Sequence, residues 1–548
     1  MIKIFKNNKT LIILLAIIVL TSFFRIWQLS SIPPGIYPDE AINGNEALSF
    51  PGEIFYPENN GREGLFINLI MESFLLFGIS VWSLRIVPAI IGILTILGMY
   101  LLVKELFKKQ EYANFIALSS SFLMAVSFWH VNFSRIGFRA ILVPLILTFS
   151  FYFLLKGFNN LCERKKEFLI SGAIFGIGFY TYIAFRMSVI LIALVFFLFW
   201  IIFKNKGLQK KFLHSIKWWI LACVVIALPI GVYFLGNPEY FVSRAGGVSI
   251  FAQDSNTPIS QIAALGKSLI VHLGMFNVFG DYNWRHNISG SPILFWPVGI
   301  MFLIGFIYSI FALVKGIRKK DHWSSAIFGT LIGWWIVLLL PGILTYEGVP
   351  HSLRTIGAIP PVFIFSALGL YLVYQAIKDK IKIKRKSFSF GMIIIVLIFL
   401  LSSFIYAQYS RYFVVWGENS EVKGAFSNDY VKIGEYLNDV DSRIQKYVIV
   451  NSPGTPVSYM GNIPMPAQTV RFIEMTEFYN PWAIYVLPEK LEEIRIAKSL
   501  RGVVVFMQYD EKTMLELWGL FPKGRFIEKD GFWIYEIDPQ IENDTKSE

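Results

Sequence analysis

Apolar and polar positions alternate in long blocks along this chain. After three early lysines, Leu11–Leu29 is an almost unbroken apolar run. Comparable runs follow at about 83–103, 111–129, 138–156, 168–184, 187–203, 216–236, 292–314, 322–343, 352–376 and 389–409. Each approaches the ~20 residues needed to cross a bilayer core, so the pattern predicts eleven membrane-spanning helices. The first resembles a signal sequence in its basic start, but it is too long and no small-residue cleavage site follows, so it reads as an uncleaved span. Leu65–Gly78 is apolar but short, with Asn68 and Glu72 inside, and reads as an interfacial or re-entrant helix.

From about Arg411 the pattern changes. Strand-like runs (447–450, 502–507, 532–537) alternate with amphipathic stretches (429–437, 489–500, 511–517). Residues 411–548 hold 15 basic and 21 acidic residues, a net −6 against +12 for the whole chain. The expected fold is therefore a polytopic α-helical membrane protein with a small soluble C-terminal α/β domain. Its expected parts are a transmembrane domain over 1–410, with external loops at 31–64 and 237–291, and a soluble domain over 411–548.

The basic residues orient the spans. With the N-terminus placed in the cytoplasm, 25 Lys and Arg fall on cytoplasmic ends and ten on external ends before residue 411. The positive charge is thus an orientation signal and calls for no nucleic-acid partner. The two cysteines, Cys162 and Cys223, allow no disulfide framework. No P-loop, dinucleotide-binding glycine pattern or zinc spacing is present.

The cytoplasmic set is almost all Lys, whereas the external set is all Arg except Lys267. Lys is enough to orient a helix; Arg presents a planar fork that matches phosphate or carboxylate. Arg135, Arg139, Arg186 and Arg354 stand at the mouths of spans beside aromatics or His351, and Arg285 lies in the 237–291 loop with Asp254, His272, Asp281 and His286. The bland reading of any one Arg is interfacial anchoring. As a set they face an acidic first loop, where Asp39 and Glu40 are followed by Glu46, Glu53, Glu58, Arg62 and Glu63. An Arg-lined cup opposite carboxylates suits an anionic, lipid-linked substrate and a catalytic loop.

Tyr37-Pro38-Asp39-Glu40, Gly61-Arg62-Glu63-Gly64-Leu65, Ser83-Leu84-Arg85-Ile86-Val87-Pro88, Trp129-His130-Val131-Asn132-Phe133-Ser134-Arg135 and Pro350-His351…Arg354…Gly357 together resemble GT-C superfamily glycosyltransferases of the protein O-mannosyltransferase and aminoarabinose transferase type. The resemblance covers roughly residues 10–410 and is most specific in the first 140. It implies transfer of a sugar from a polyprenyl-phosphate donor to a glycan, lipid or protein acceptor outside the cytoplasm, in the plasma membrane. It implies Asp39 as general base, Glu40 beside it, and Glu63 as the second acid; here Gly64-Leu65 replaces the Pro-Pro of many relatives. Arg62, Arg135, Arg139, Arg186, Arg285, His351 and Arg354 are the expected substrate contacts. Carboxylates and His would allow a divalent cation, but no spacing demands one, and no metal ligands are assigned. The competing class is a transporter or flippase of an anionic lipid; a lipid-linked glycan ligase or polymerase is a third.

Overall fold

A computed structural model describes residues 2–252, 257–380, 387–455, 457, 462–477 and 483–539. Asp254 and the basic run 382–386 lie outside the described residues, as do the side chains of Lys3, Lys6 and Arg244. In chain order the helices are α1 (Ile2–Ile26), α2 (Pro38–Ser49), α3 (Leu65–Phe77), α4 (Val81–Leu106), α5 (Ala113–Val126), α6 (Phe128–Phe133), α7 (Leu142–Asn159), α8 (Lys165–Ile177), α9 (Ser188–Asn205) and α10 (Gln209–Gly236). They continue with α11 (Pro238–Gly247), α12 (Pro258–Gly274), α13 (Trp296–Arg318), α14 (His322–Ile343), α15 (Ile359–Lys380), α16 (Ser387–Tyr409), α17 (Ser420–Ala425), α18 (Asn428–Asp439), α19 (Gln468–Glu477) and α20 (Glu511–Leu520). Short strands β1 (Phe55–Tyr56) and β2 (Arg62–Glu63) lie in the first loop, and β3 (Gln445–Ile449), β4 (Ile484–Val486), β5 (Gly502–Phe506), β6 (Arg525–Lys529) and β7 (Phe532–Ile537) lie near the C-terminus.

Two compact units result. The helical unit comprises Met1–Leu29, Glu63–Phe66 and Ile86–Gly417; the α/β unit comprises Ser30–Arg62, Ile67–Arg85 and Glu418–Glu548. The division by contacts falls after Gly417, and residues 30–62 group with the C-terminal segment. Three contacts explain the first point. The π-helical turn Ser410–Trp416 packs Tyr412 at a tilt and Trp416 edge-on against Phe128, and Arg411 donates to Pro292 O at 2.7 Å.

Among the described residues, eight helices are long and apolar enough to cross a membrane, and this is an integral membrane protein. The three remaining expected spans correspond to α5, α8 and α16. At 1.5 Å per residue, the 14 residues of α5 and the 13 of α8 are shorter than a full crossing. Each is extended by a second short helical piece, α6 after Ser127 and the turn Gly178–Tyr180. The Leu65–Gly78 segment forms the 13-residue α3.

Burial sorts the spans. The apolar window of α15 is 78% buried and that of α10 only 17%, so α15 is a central helix and α10 faces lipid. The tightest helix contact uses glycine on both sides. A Cβ on Gly305 of α13 would collide with Phe365 O, and one on Gly369 of α15 would collide with Met301 O. Small residues let backbones approach in this way where apolar lipid gives no hydrophobic incentive to pack.

In the α/β unit the sheet order is β4-β3-β5-β7-β6, with β4, β3 and β5 parallel and β7 antiparallel to both β5 and β6. Alternating strand residues serve two cores. Val448, Val503 and Val505 pack with Ile433 and Leu437 of α18 and Val470 of α19; Tyr447, Ile449 and Val504 pack with Met514 and Leu517 of α20. Helix α2 is held on α19: Asn45 Nδ2 donates to Gln468 O (3.0 Å) and Oε1 (2.8 Å), and Thr469 Oγ1 donates to Ile36 O (2.9 Å). Phe472 of α19 closes over Gly44 and stacks on Phe74 of α3.

Gly369→Val forces α13 and α15 apart. Overpacking of this kind typically costs about 1–3 kcal/mol, so thermal unfolding in detergent is expected at a clearly lower temperature, and an unchanged midpoint would contradict the close glycine contact.

Candidate active site

Three expected site residues meet in the helical unit. Glu63 accepts from Arg139 Nε at 3.0 Å on one oxygen and stands 3.9 Å from Arg186 Nη2 on the other. Arg139 opens the short turn before α7, and Arg186 belongs to the 3₁₀ turn Ile183–Met187 that leads into α9. Both turns set an Arg at the start of an apolar helix, where it reaches sideways. The Arg139 guanidinium lies over the Tyr182 ring at 5.4 Å. Arg186 donates to Phe241 O at 2.6 Å and lies over the rings of Phe241 (4.3 Å) and Phe234 (5.2 Å). Such contacts hold a guanidinium in place without removing its charge.

Tyr182 is also a wall of a cavity of about 250 Å³ whose other walls include Ile183, Met187, Leu344, Thr345 and Arg354. The space is mainly apolar with one cation. Arg354 donates to Thr345 Oγ1 (2.8 Å), Glu347 O (2.9 Å) and Glu347 Oε2 (3.0 Å). The Glu347 side chain is 63% exposed, and an ion pair of that kind contributes little. Arg354 can therefore exchange it for an anion in the cavity.

The other expected contacts are placed differently. Arg135 is fully buried and donates to Phe24 O (3.1 Å), Trp27 O (2.7 Å) and Gln28 O (3.0 Å), which caps the carbonyl end of α1. Its guanidinium stacks near Tyr412 and Phe413. Arg285 bonds Asn283 Oδ1 through both N and Nε. Arg62 is buried in the α/β unit, where it pairs with Glu46 and donates to Asn43 Oδ1 at 2.8 Å. Glu40 forms a fully buried pair with Arg85 Nε at 2.7 Å, and Arg85 also holds Pro33 O and Gly35 O.

Asp39 and Glu40 occupy the first turn of α2, rather than an irregular loop, behind Pro38. Consecutive helical residues point about 100° apart, so Glu40 turns inward and Asp39 stays half-buried. Asp39 Oδ1 accepts from Asn59 Nδ2 at 2.5 Å. Its Oδ2 takes no hydrogen bond among the described residues. The helix N-terminus favours negative charge at this position.

His351 belongs to a different group in the helical unit. Asp281 Oδ2 accepts from Ser352 N (2.8 Å), Ser352 Oγ (3.0 Å) and His286 Nδ1 (3.0 Å), and Oδ1 accepts from Asn283 N (2.8 Å). His351 stacks on His286 at 4.9 Å, and its Nδ1 lies 4.0 Å from Asp281. Burial opposes charge on Asp281, but the neighbouring His286 and these hydrogen bonds outweigh it and hold the carboxyl below the usual range. Burial first, then His286 and Arg354, push His351 well below the usual histidine value. It is neutral near pH 7, and its Nδ1 accepts from Arg354 N at 3.4 Å. Asp281, His286 and His351 each offer one donor atom within 4.8 Å of the others, the one grouping among the described residues sized to hold a metal ion. A cation there would have to displace the His286 Nδ1 proton from a carboxylate already accepting four hydrogen bonds. The residues fit a latch between two loops better than a metal centre.

Sequence reasoning set Arg186 beside aromatics without giving Tyr182 a role, and missed Thr345. It placed Asp281 and His286 in a loop without joining them. The five-residue spacing around Asn283, a turn residue, was the available signal.

The family model described as dolichyl-phosphate-mannose-protein mannosyltransferase matches residues 65–233, from α3 to α10, which includes Arg135, Arg139 and Arg186 but not Asp39. No curated protein matches the sequence. Among solved structures, the apo oligosaccharyltransferase of Archaeoglobus fulgidus aligns with TM-score 0.51 and 16% identity over 85% of this chain, which spans 64% of that one. The oligosaccharyltransferase AglB of the same organism, solved with an inhibitory peptide and a dolichol-phosphate, aligns with TM-score 0.50 and 15% identity over 97% of this chain and 74% of that chain. ArnT from Cupriavidus metallidurans, solved bound to undecaprenyl phosphate, aligns with TM-score 0.54 and 12% identity over 97% of this chain and 99% of that chain. The chain has the fold of the GT-C superfamily of membrane glycosyltransferases.

The latch gives a pH dependence with a definite sign. The folded chain holds His351 below its unfolded value, so below about pH 6.5 the unfolded state binds the extra proton and stability falls as pH falls. Asp281, also depressed, adds a further loss only once pH drops through the carboxylate range. The unfolding temperature of the detergent-solubilised protein is expected to fall between pH 7.5 and 5.5, and less steeply in His351→Gln; identical slopes would contradict the assignment.

Proposed function

We propose that this chain transfers a sugar from a polyprenyl-phosphate donor to an acceptor hydroxyl on the extracytoplasmic side of the membrane. The observation that carries the reading is the Glu63–Arg139–Arg186 cluster, joined through Tyr182 to the mainly apolar cavity of Arg354. A cavity with apolar walls and one exchangeable cation suits a phosphate attached to a lipid. The leaving phosphate gains charge as the anomeric bond breaks. Fixed cations at that phosphate lower the barrier because they need no reorganisation. Arg354 and Arg186 supply them, and Glu63 positions Arg139 and Arg186. The lipid phosphates bound to AglB and ArnT support the donor class, and the mannosyltransferase family model supports sugar transfer.

The acceptor hydroxyl has to lose a proton as it attacks, so a general base is required. Asp39 takes this role. It is half-buried with one carboxylate oxygen engaged by Asn59 and the other available. A single displacement with one base inverts the anomeric centre. Glu40 is a structural partner of Arg85 and touches no substrate in this scheme.

Neighbouring substitutions should separate chemistry from folding. Asp39→Asn is expected to keep normal expression and thermal stability while turnover with a polyprenyl-phosphate-linked mannose falls about 10²–10⁴-fold. Glu40→Gln leaves Arg85 buried without its carboxylate. Breaking such a pair typically costs about 3–5 kcal/mol, so a loss of folded protein is expected. Arg354→Ala should lower turnover as well as apparent donor affinity. Wild-type turnover in Asp39→Asn would remove the base assignment and make Glu63 the next candidate. Lipid movement without any sugar transfer would favour a flippase.

A further inference from the structure

We propose that the lysine-rich end of the helical unit carries a second anion site, built for the phosphate headgroup of an anionic phospholipid. It is separate from the Arg354 cavity and does not depend on the glycosyltransferase reading. The ends of α4 and α13 and the starts of α5 and α14 enclose a cavity of about 310 Å³. Three lysines line it: Lys109, Lys315 and Lys319. The one carboxylate lining it, Asp321, is engaged as the cap of α14, accepting from Ser324 N (3.1 Å) and Ser324 Oγ (2.6 Å). The hydroxyls of Tyr112 and Tyr308 also border the space. The lining is thus rich in donors and cations, with little to balance them.

Lysines at this end of the helices are explained in part by membrane orientation and by the negative C-terminal ends of α4 and α13. Neither effect gathers three of them around one space. Lys109 is exposed, and its Nζ lies 3.7 Å over the ring of Trp323. Burial first and Lys206 second lower the basicity of Lys109, against a smaller opposing effect of Asp321. An incoming phosphate would relieve that cost.

The rest of the cavity selects a lipid over a free anion. Leu106, Phe107, Ile327 and Phe328 form its apolar wall. The adjoining stripe of α13, Ile307, Phe311 and Val314, is exposed and apolar, so an acyl chain can lie along it while the phosphate reaches the lysines. Basic pockets between membrane helices recognise anionic headgroups in this way.

The test uses the full-length protein in neutral detergent, titrated with dioleoyl phosphatidylglycerol or dioleoyl phosphatidylcholine and read by native mass spectrometry and thermal unfolding. Phosphatidylglycerol is expected to be retained and to raise the unfolding temperature, with phosphatidylcholine doing neither. Lys109→Ala/Lys319→Ala should weaken retention about tenfold or more. Lys210→Ala/Lys211→Ala removes the same charge from positions of α10 that do not line the cavity and should leave retention unchanged. Equal retention of the two lipids, or equal loss in the two double variants, would overturn the site. The full thermal shift with inorganic phosphate alone would overturn the lipid assignment.

Discussion

A carboxylate withdrawn from water needs a cation beside it, and three buried acids between residues 40 and 63 have one. Glu40 has Arg85, Glu46 has Arg62, and Glu63 has Arg139 with Arg186 nearby. Unpaired, any of these carboxylates would be strongly destabilising in a buried setting. Paired, they fix the course of the chain between α1 and α4. Asp39 has a neutral partner instead, the Asn59 amide. That difference suits the proposed role of base, because a tight ion pair would oppose protonation.

The membrane architecture was legible because it rests on local pattern. Apolar runs define the helices. Glu63, Arg139 and Arg186 were legible for a related reason, since an Arg beside aromatics at the mouth of a span has few apolar neighbours to satisfy it. Arg135 carries the same local signature as Arg139 but caps α1, and its acceptors come from Phe24, Trp27 and Gln28, more than 100 residues earlier. Nothing near Arg135 in the sequence distinguishes the two cases.

The compact units were less legible because they depend on distant contacts. Residues 30–62 look like a loop of the membrane domain when read in order. They group with the C-terminal segment through Asn45, Ile36 and Gly44, whose partners Gln468, Thr469 and Phe472 lie on one face of α19. The acidic first turn of α2 is therefore set on the α19 scaffold of its own unit. Rigid elements hold reacting groups better than free loops do.

This arrangement imposes an order in time. Asn45 and Gln468 are 423 residues apart. At synthesis rates of about 5–20 residues per second, α2 waits roughly 20–80 s for its partner to be made. During that interval its inward face, with Ile42 and Asn45, has no native surface to cover it. A ribosome that stops short of α19 leaves a chain with every long apolar helix up to α16 but with α2 unmoored. The proposed base is therefore set in place only in the last quarter of translation, well after the membrane helices themselves.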